Sequence, residues 1–167
     1  DIARMADAEG ASALLVFPPN SMSMGGQLRP EMAFRHFQMI AEATDLPLIL
    51  FQYPQATGLG YPFATMEAIF DSVPSVVAIK DWCNDPMLHE KHIRNFQSRQ
   101  HPVNVLTTHS SWLMASLSMG PTGLLSGAGS VIADLQVALF NAMDANDLLR
   151  ARQVNDQIYP LTQAFYR

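Results

Sequence analysis

Lys80 is the residue whose type and position most clearly predict chemistry, because it ends the apolar run Val76-Val77-Ala78-Ile79. An apolar environment disfavours the ammonium form of lysine, and the unprotonated amine is a nucleophile toward carbonyl carbon. Side chains alternate along a strand, so Val76, Ala78 and Lys80 share one face, where the small Ala78 leaves room for the lysine stem. The alternative is a lysine that ends a strand, points into water and pairs with Asp81.

Further candidates follow other apolar runs. Tyr53 is suited to act as a general acid or base, although a tyrosine at a strand end also serves as a core residue with a hydrated hydroxyl. His109 either lines a pocket or begins a helix. The glycine-rich segment 120–130 either presents backbone N–H groups to a carboxylate or phosphate, or forms a tight turn between a strand and a helix.

The segment His89-Glu90-Lys91-His92 is not predicted to bind metal. The zinc-binding helix motif needs histidines four positions apart, whereas His89 and His92 are three apart, and a solvated helix face is the favoured interpretation. Cys83 is the single cysteine, which excludes an internal disulfide and a multi-cysteine zinc site. We predict an inert Cys83, no metal and no cofactor.

The composition restricts the class of protein. With 49% hydrophobic and 15% charged residues among 167, the chain has the balance of one folded domain rather than that of a disordered protein. Its net charge of −5 and its scattered basic residues argue against a nucleic-acid partner. The longest apolar runs are far shorter than the ~20 residues of a membrane-spanning helix, so no membrane partner is predicted. The single cysteine suits a reducing compartment, and we predict a cytoplasmic location.

The candidate residues are positioned by alternating strands and helices. Apolar runs predict five strands, at residues 12–17, 46–53, 76–80, 103–108 and 123–128. The helical spacing of apolar residues predicts helices at residues 1–9, 32–44, 63–72, 87–99, 112–119, 132–142 and 147–166. Segment 20–30 is rich in Ser, Met and Gly and predicts a flexible lid or binding loop.

Almost continuously apolar strands that alternate with helices predict a parallel sheet covered on both faces. In such folds the reactive groups lie at the carboxyl ends of the strands, which is where the candidate residues occur. The length favours an open sheet, since a closed eight-stranded barrel typically needs ~250 residues. However, the chain begins at Asp1 inside a predicted helix, without an initiator methionine, and lacks the nucleotide-binding glycine motifs, which favours a truncated barrel.

The sequence resembles the dihydrodipicolinate synthase and N-acetylneuraminate lyase family in three segments: Phe51 to Gly58, Val76 to Asp81 with its lysine, and Gly120 to Ser130. The resemblance implies a class I aldolase-type lyase on an α/β fold, the (β/α)8 TIM barrel. This chain would supply about the fourth to the eighth strands and the C-terminal helices, with the N-terminal strands missing. Residues 1–167 would form a single domain, a fragment of the barrel, in which residues 132–167 hold the closing helices.

The resemblance also implies residue roles. It makes Lys80 the amine that forms a Schiff base with the keto carbon of pyruvate or another 2-oxo acid, so that a C–C bond forms or breaks, or water leaves, beside the former carbonyl. Tyr53 is the second catalytic candidate. The substrate-binding candidates are Phe51, Thr108, Leu125, Ser126 and Gly127. By family habit the partners are a small-molecule 2-oxo acid and further copies of the chain in a homodimer or homotetramer, with no cofactor.

Three departures from the family pattern leave the substrate open. Phe51 stands where the family has its proton-relay tyrosine, and Tyr53 lies two positions on, on the same strand face. Ala56 stands where synthases often carry arginine, and Asn20 where the family has a tyrosine that reaches a neighbouring subunit. Dihydrodipicolinate synthesis itself is therefore not expected. The family's hydroxyl pair for the keto-acid carboxylate belongs to the second barrel strand, which this chain lacks.

Two other functions stay open on the sequence. One is a non-catalytic or altered member of the same family that binds a small acid, which the three departures favour. The other is an open-sheet protein that binds phosphate through segment 123–130. If the protein is an enzyme, the polar residues at its strand ends predict a rim for a substrate larger than pyruvate: Gln52, Tyr53, Thr108 and His109.

Overall fold

The computed structural model describes residues 1–165, so the predicted helix end at Tyr166 lies outside the described residues. Within these residues, five strands alternate with seven α-helices, as predicted. The strands are β1 (Leu14–Val16), β2 (Leu48–Gln52), β3 (Val76–Asp81), β4 (Asn104–Thr107) and β5 (Gly123–Leu124). The helices are α1 (Ile2–Ala8), α2 (Pro30–Ala41), α3 (Phe63–Ser72), α4 (Pro86–Phe96), α5 (Leu113–Ser118), α6 (Gly129–Asp144) and α7 (Leu148–Phe165).

The chain divides into two compact units, residues 1–105 and residues 106–167. The strands follow one another in the sheet in chain order, β1-β2-β3-β4-β5, and β4 contributes residues to both units. The pairs β1–β2, β2–β3 and β4–β5 are parallel, which confirms the predicted parallel α/β class. The single domain over residues 1–167 stays a prediction. Within residues 1–165, none of the helices has both the length and the apolar character needed to cross a membrane.

The pairing of β2 with β3 in the first unit determines the neighbours of the predicted nucleophile. Phe51 lies opposite Lys80, and Gln52 lies opposite Asp81. Because side chains alternate along each strand, Phe51 and Lys80 share one face of the sheet while Gln52 and Asp81 share the other. The first face therefore carries the amine, and the second carries a buried polar pair.

The first unit is held together by apolar side chains on the strands and on the covering helices. Leu48, Leu50 and Ile79 are fully buried, as are Phe37 of α2 and Phe96 of α4. Full burial of such a side chain stabilises the fold by roughly 1.5–3 kcal/mol. These contacts hold the carboxyl ends of β2 and β3 at a defined position, which is a requirement for chemistry at Lys80.

Segment 20–30, predicted to be a flexible loop, contains two short 3-10 helical turns, Asn20–Met24 and Gly26–Leu28. Met22 is only 2% exposed and anchors the first turn in the core. Gly25 between the turns has a φ of 91°, which favours glycine. The segment is therefore hydrogen-bonded local structure with an apolar anchor.

The second unit has its own core, in which α5, α6 and α7 pack together through residues such as Leu113, Leu139 and Ile158. α6 begins at Gly129, three residues before the predicted start, and has a kink with non-helical backbone angles at Ile132. β5 is shorter than predicted, because the N–H of Gly129 already donates to the carbonyl of Ser126 in a turn. Of the strand predicted over residues 123–128, only Gly123 and Leu124 are strand, and the rest lead through a turn into α6.

Asp85 begins α4 as an N-cap. Its carboxylate accepts hydrogen bonds from the N–H groups of Met87 (2.9 Å) and Leu88 (3.1 Å). We expect Asp85→Ala to lower the free energy of unfolding by about 1 kcal/mol, because two N–H groups of the first turn lose their acceptor. Urea denaturation measures this loss. The matched control is Asp45→Ala, at an exposed position, which we expect to change stability by less than about 0.5 kcal/mol; equal effects of the two variants would contradict the capping role.

Candidate active site

Lys80 lies at the carboxyl end of β3 with its amine against an aromatic ring. Nζ is 4.6 Å from the centroid of Phe51, its neighbour on β2. Among residues 1–165, Nζ has neither a hydrogen bond nor an ion pair. The pairing with Asp81 that the alternative included is therefore wrong, because the Asp81 carboxylate lies on the opposite face and binds two histidines there.

Partial burial lowers the pKa of the Lys80 ammonium group, since desolvation disfavours its charge. No carboxylate opposes this shift. A lowered pKa raises the unprotonated fraction of the amine at neutral pH, and only this form attacks a carbonyl carbon. The environment of Lys80 thus suits nucleophilic catalysis.

Phe51 belongs to a group of four neighbouring aromatic side chains, which we call the aromatic wall: Phe17, Phe51, Tyr53 and Trp82. The ring centroids of Phe51 and Tyr53 are 4.4 Å apart, and those of Tyr53 and Trp82 are 5.5 Å apart. The ring of Phe17 meets Phe51 edge-on at 5.0 Å. These distances lie within or close to the range of favourable aromatic contacts. Lys80, Phe51 and Tyr53, all predicted site residues, are therefore close together.

Gln52, predicted to belong to a polar rim, is fully buried instead. Its side-chain amide donates to the carbonyl of Tyr61 (3.0 Å), and its side-chain oxygen accepts from the N–H of Tyr61 (2.9 Å). The two bonds fasten the segment that follows Tyr53 to the end of β2. Sequence reasoning missed this role because a polar residue at a strand end is ordinarily hydrated.

Asp81, directly after Lys80, is a buried carboxylate with two imidazole partners. Its Oδ2 accepts from Nδ1 of His89 (2.8 Å) and from Nδ1 of His92 (2.7 Å), and all three side chains are 0% exposed. Its Oδ1 accepts from the N–H of Cys83 at 3.0 Å. The pKa of Asp81 is well below its usual range: burial alone would raise it, but the hydrogen bonds and charges of the two histidines outweigh burial.

The solvated face predicted for His89 and His92 is wrong. Residues three apart share one face of a helix, and here that face of α4 turns toward the sheet. His92 stacks on Phe63 and Phe96 at centroid distances of 6.1 and 5.2 Å, so it is packed as an aromatic core residue. A signal was present in the sequence, because an aspartate at the end of a buried strand requires hydrogen-bond donors nearby.

Cys83 is buried against this cluster. Its thiol donates to the carbonyl of Asp85 at 3.3 Å. Burial and the charge of Asp81 raise the pKa of the thiol, which keeps it protonated and agrees with the predicted inertness. One possible ligand atom from each of Asp81, Cys83 and His89 lies within 4.8 Å of the others. In the first unit these three residues form a group that could hold a metal ion.

In the second unit, Ser126 is the best-connected predicted site residue. Its Oγ accepts from Nε2 of Gln136 (3.1 Å) and from the N–H of Ala128 (3.2 Å), and its hydroxyl shares a hydrogen bond with that of Ser110. Leu125 directly follows β5, and its N–H donates to the carbonyl of Thr107 in β4 at 2.9 Å. The position of the Ser126 hydroxyl is thus determined by α6 and by the segment after β4.

The other predicted residues of the second unit differ in exposure. Thr108 is 7% exposed, and His109 is 2% exposed, so neither forms a hydrated rim. His109 precedes the 3-10 turn Ser110–Trp112 and stacks on Trp112, with ring centroids 4.1 Å apart. Gly127 is exposed, and a Cβ placed on it would meet nothing within 4 Å. The space beside Gly127 is therefore open.

Comparison with known proteins gives one consistent family. The profile of the dihydrodipicolinate synthetase family matches residues 1–167. A curated relative from Chloroherpeton thalassium, named 4-hydroxy-tetrahydrodipicolinate synthase, is 27% identical over 163 residues, which cover 96% of this chain and 51% of the relative. One of the same name from Synechococcus elongatus is 32% identical over 137 residues, which cover 81% of this chain and 44% of the relative.

Solved structures of the same family share the fold. The crystal structure of a prophage protein of the dihydrodipicolinic acid synthase family from E. coli K12, in complex with pyruvate, matches with a TM-score of 0.85 and 22% identity. The match covers 97% of this chain and 53% of the prophage protein. Dihydrodipicolinate synthase from Aquifex aeolicus matches with a TM-score of 0.81 and 20% identity, over 99% of this chain and 55% of that one. The chain thus spans about half the length of the proteins it matches, which is consistent with the predicted partial barrel.

Proposed function

The chain belongs to the dihydrodipicolinate synthetase family, and from this membership we propose that Lys80 forms a Schiff base with a 2-oxo acid in a class I lyase or aldolase reaction. The observation that carries the proposal is the environment of the amine. Nζ lies over the Phe51 ring, without an ion pair among residues 1–165, and burial lowers its pKa. A lysine in this state is prepared to attack a ketone.

The proposed reaction runs through an imine. Nζ attacks the keto carbon, and the carbonyl oxygen leaves as water, which gives a protonated imine. The C–C bond between the α carbon and the β carbon of the imine then breaks, and its electron pair moves toward the imine nitrogen and forms an enamine. The β carbon, whose hydroxyl group loses its proton, leaves as the carbonyl carbon of an aldehyde. Tyr53 is proposed as the group that moves this proton. Protonation of the enamine and attack of water then release the 2-oxo acid and restore the amine.

Further parts of the proposal concern residues of the second unit and the state of the protein. Thr108, Leu125, Ser126 and Gly127 are proposed to contact the 2-oxo acid, on the basis of their positions at strand ends and the open space beside Gly127. A homodimer or homotetramer and a cytoplasmic location stay predictions. One matching structure is that of a monomeric dihydrodipicolinate synthase variant.

Reductive trapping tests the proposal. The whole protein is incubated with pyruvate and cyanoborohydride, digested and analysed by mass spectrometry. The chain has two lysines, Lys80 and Lys91, so the peptide that carries Lys91 serves as an internal control. We expect one reduced pyruvate on Lys80 and none on Lys91. Unmodified Lys80, or equal labelling of both lysines, would refute the proposal.

The rate of imine formation provides a pH-dependent test. Because burial lowers the pKa of Lys80 from 10.5, the unprotonated fraction rises at a lower pH than for a hydrated lysine. We expect the rate of trapping to increase with pH, with a midpoint below that of the ε-amine of Nα-acetyl-lysine under the same conditions. A midpoint equal to or above that of Nα-acetyl-lysine would show that the Lys80 amine is not desolvated.

A non-catalytic or altered member that binds a small acid is the second candidate, and one observation favours it. Phe51 has no hydroxyl, and its ring faces the Lys80 amine at 4.6 Å, where the family resemblance implies a proton-relay tyrosine. If the relay is lost, we expect the wild-type protein to be inert toward a panel of 2-oxo acids and aldol products, and Phe51→Tyr to gain measurable turnover. Phe51→Leu, which lacks both ring and hydroxyl, is the control. Turnover by the wild type that falls in Phe51→Tyr would reject this candidate.

A further inference from the structure

The aromatic wall is arranged in two steps along the strands. Phe51 on β2 and Lys80 on β3 are neighbours in register, and two positions further on Tyr53 and Trp82 lie on the same face, because side chains alternate. The N–H of Trp82 donates to the carbonyl of Gln52 at 2.9 Å, which continues the pairing beyond β3 and holds this second step in place. A molecule bound to Nζ therefore meets Phe51 first, and Tyr53 and Trp82 toward the carboxyl ends of the strands.

We propose that the 2-oxo acid that reacts with Lys80 carries an aryl group, which packs against the aromatic wall. This inference rests on the proposed function of Lys80 and specifies its substrate class. The aryl group is placed a few bonds beyond the keto carbon, because Tyr53 and Trp82 lie one step beyond the amine along the strands.

The exposure of the wall leaves ring surface for a ligand. Phe17 is 50% exposed, and Tyr53 and Trp82 are partly exposed, while Phe51 is 7% exposed. The rings already contact one another at 4.4 to 5.5 Å, so a further ring added to them continues the same kind of packing. Rings bury a large area and prefer offset or edge-on contacts with other rings, which favours an aryl group over an alkyl chain of the same size.

The chemistry of the wall also disfavours polar substrates. Of its four side chains, Phe17 and Phe51 have no hydrogen-bonding group, Tyr53 has one hydroxyl group and Trp82 has one N–H donor. A polyhydroxylated or dicarboxylic substrate would lose hydration against the rings without finding enough partners, which costs free energy. Ala56, in the exposed turn after β2, supplies no cation for a second carboxylate. An uncharged, planar extension of the 2-oxo acid fits the wall better.

A comparison of three 2-oxo acids tests the substrate class. Phenylpyruvate, 4-methyl-2-oxopentanoate and pyruvate are trapped on Lys80 of the whole protein under the same conditions, and the trapping efficiencies are compared as rate per concentration. We expect phenylpyruvate to exceed the branched aliphatic acid by about tenfold. Equal trapping of phenylpyruvate and the aliphatic acid, or trapping of pyruvate alone, would overturn the aryl inference while the proposed function stands. Trapping of none of the three would refute the proposed function itself.

Variants of Trp82 separate an aromatic contact from mere apolar bulk. Trp82→Leu keeps apolar volume but removes the ring, and Trp82→Phe keeps a ring. We expect Trp82→Leu to lose most of the preference for phenylpyruvate over 4-methyl-2-oxopentanoate, and Trp82→Phe to retain this preference. Unchanged preference in Trp82→Leu would overturn the role of the wall. If Trp82→Leu does not fold, the wild-type comparison of phenylpyruvate with the aliphatic acid decides by itself.

Discussion

In the Lys80→Met variant of the whole protein, we expect no reductive trapping of a 2-oxo acid and a loss of turnover on the order of 10³-fold or more. Methionine has a similar length but no amine, so it cannot form the imine that stores the electron pair of the broken bond. The loss is expected in kcat rather than in KM, because the covalent step and not the binding of the acid is removed. Steady-state kinetics and mass spectrometry measure both effects.

Two controls make this result specific. Lys91→Met removes the other lysine of the chain. Lys91 lies on α4, where its Nζ is 4.0 Å from the centroid of the Phe63 ring of α3, and we expect this variant to leave trapping and turnover unchanged. Thermal unfolding of Lys80→Met checks the fold, which we expect to be as stable as the wild type or more so, because a desolvated ammonium group is lost. Turnover that survives in Lys80→Met would show that another group carries the chemistry.

The fold was predictable because its signals are local and redundant. The run from Val76 to Ile79 is apolar at every position, as expected for a strand covered on both faces, and the glycine and proline residues between the runs separate strands from helices. The ends of elements were less predictable. β5 ends after Leu124 because the turn of Ser126 begins the next helix, and a run of glycine and small apolar residues does not distinguish these two structures.

The candidate nucleophile was predictable from one residue, but its neighbours were not. Lys80 follows directly from the strand that it ends, whereas its contact with Phe51 depends on the register between β2 and β3, which is a tertiary property. The burial of Gln52 and of His89 depends likewise on which face of an element turns inward. Single-sequence patterns favour a hydrated position for polar residues, because most of them are hydrated, and buried polar networks are the exceptions.

The cluster of Asp81, His89 and His92 leads to the second large effect, on stability. We expect Asp81→Asn to lower the free energy of unfolding by about 3–5 kcal/mol. The asparagine amide keeps the volume of the side chain but removes the charge and sets N–H groups against the imidazole N–H donors, so that buried polar groups lose their partners. Urea denaturation of the variant against the wild type measures the loss. The matched control is Glu90→Gln in α4, the helix that carries both histidines. Glu90 is exposed and pairs with Arg94, so this variant should change stability by less than about 0.5 kcal/mol.

The pH dependence of this contribution follows from the direction of the shift. The pKa of Asp81 is lowered from 3.8 in the folded protein, so the carboxylate stabilises the fold at all pH values above its unfolded pKa. The contribution is lost as the pH falls from about 4 toward the lower, folded value. We therefore expect the difference in stability between the wild type and Asp81→Asn to be constant with respect to this carboxylate above pH 5 and to shrink below pH 4. A difference that is already absent at neutral pH would show that Asp81 is not the ionised acceptor of the cluster.

His92→Phe separates the role of the carboxylate from that of ring packing. Nε2 of His92 is buried and has no hydrogen-bond partner within residues 1–165, and the ring stacks on Phe63 and Phe96. Phenylalanine keeps the stacking and removes the unpartnered nitrogen, while Asp81 keeps the N–H donors of His89 and Cys83. The loss of stability in His92→Phe should therefore be clearly smaller than in Asp81→Asn. A loss as large as that of Asp81→Asn would mean that both imidazoles are needed to hold the charge of Asp81 next to the strand that carries Lys80.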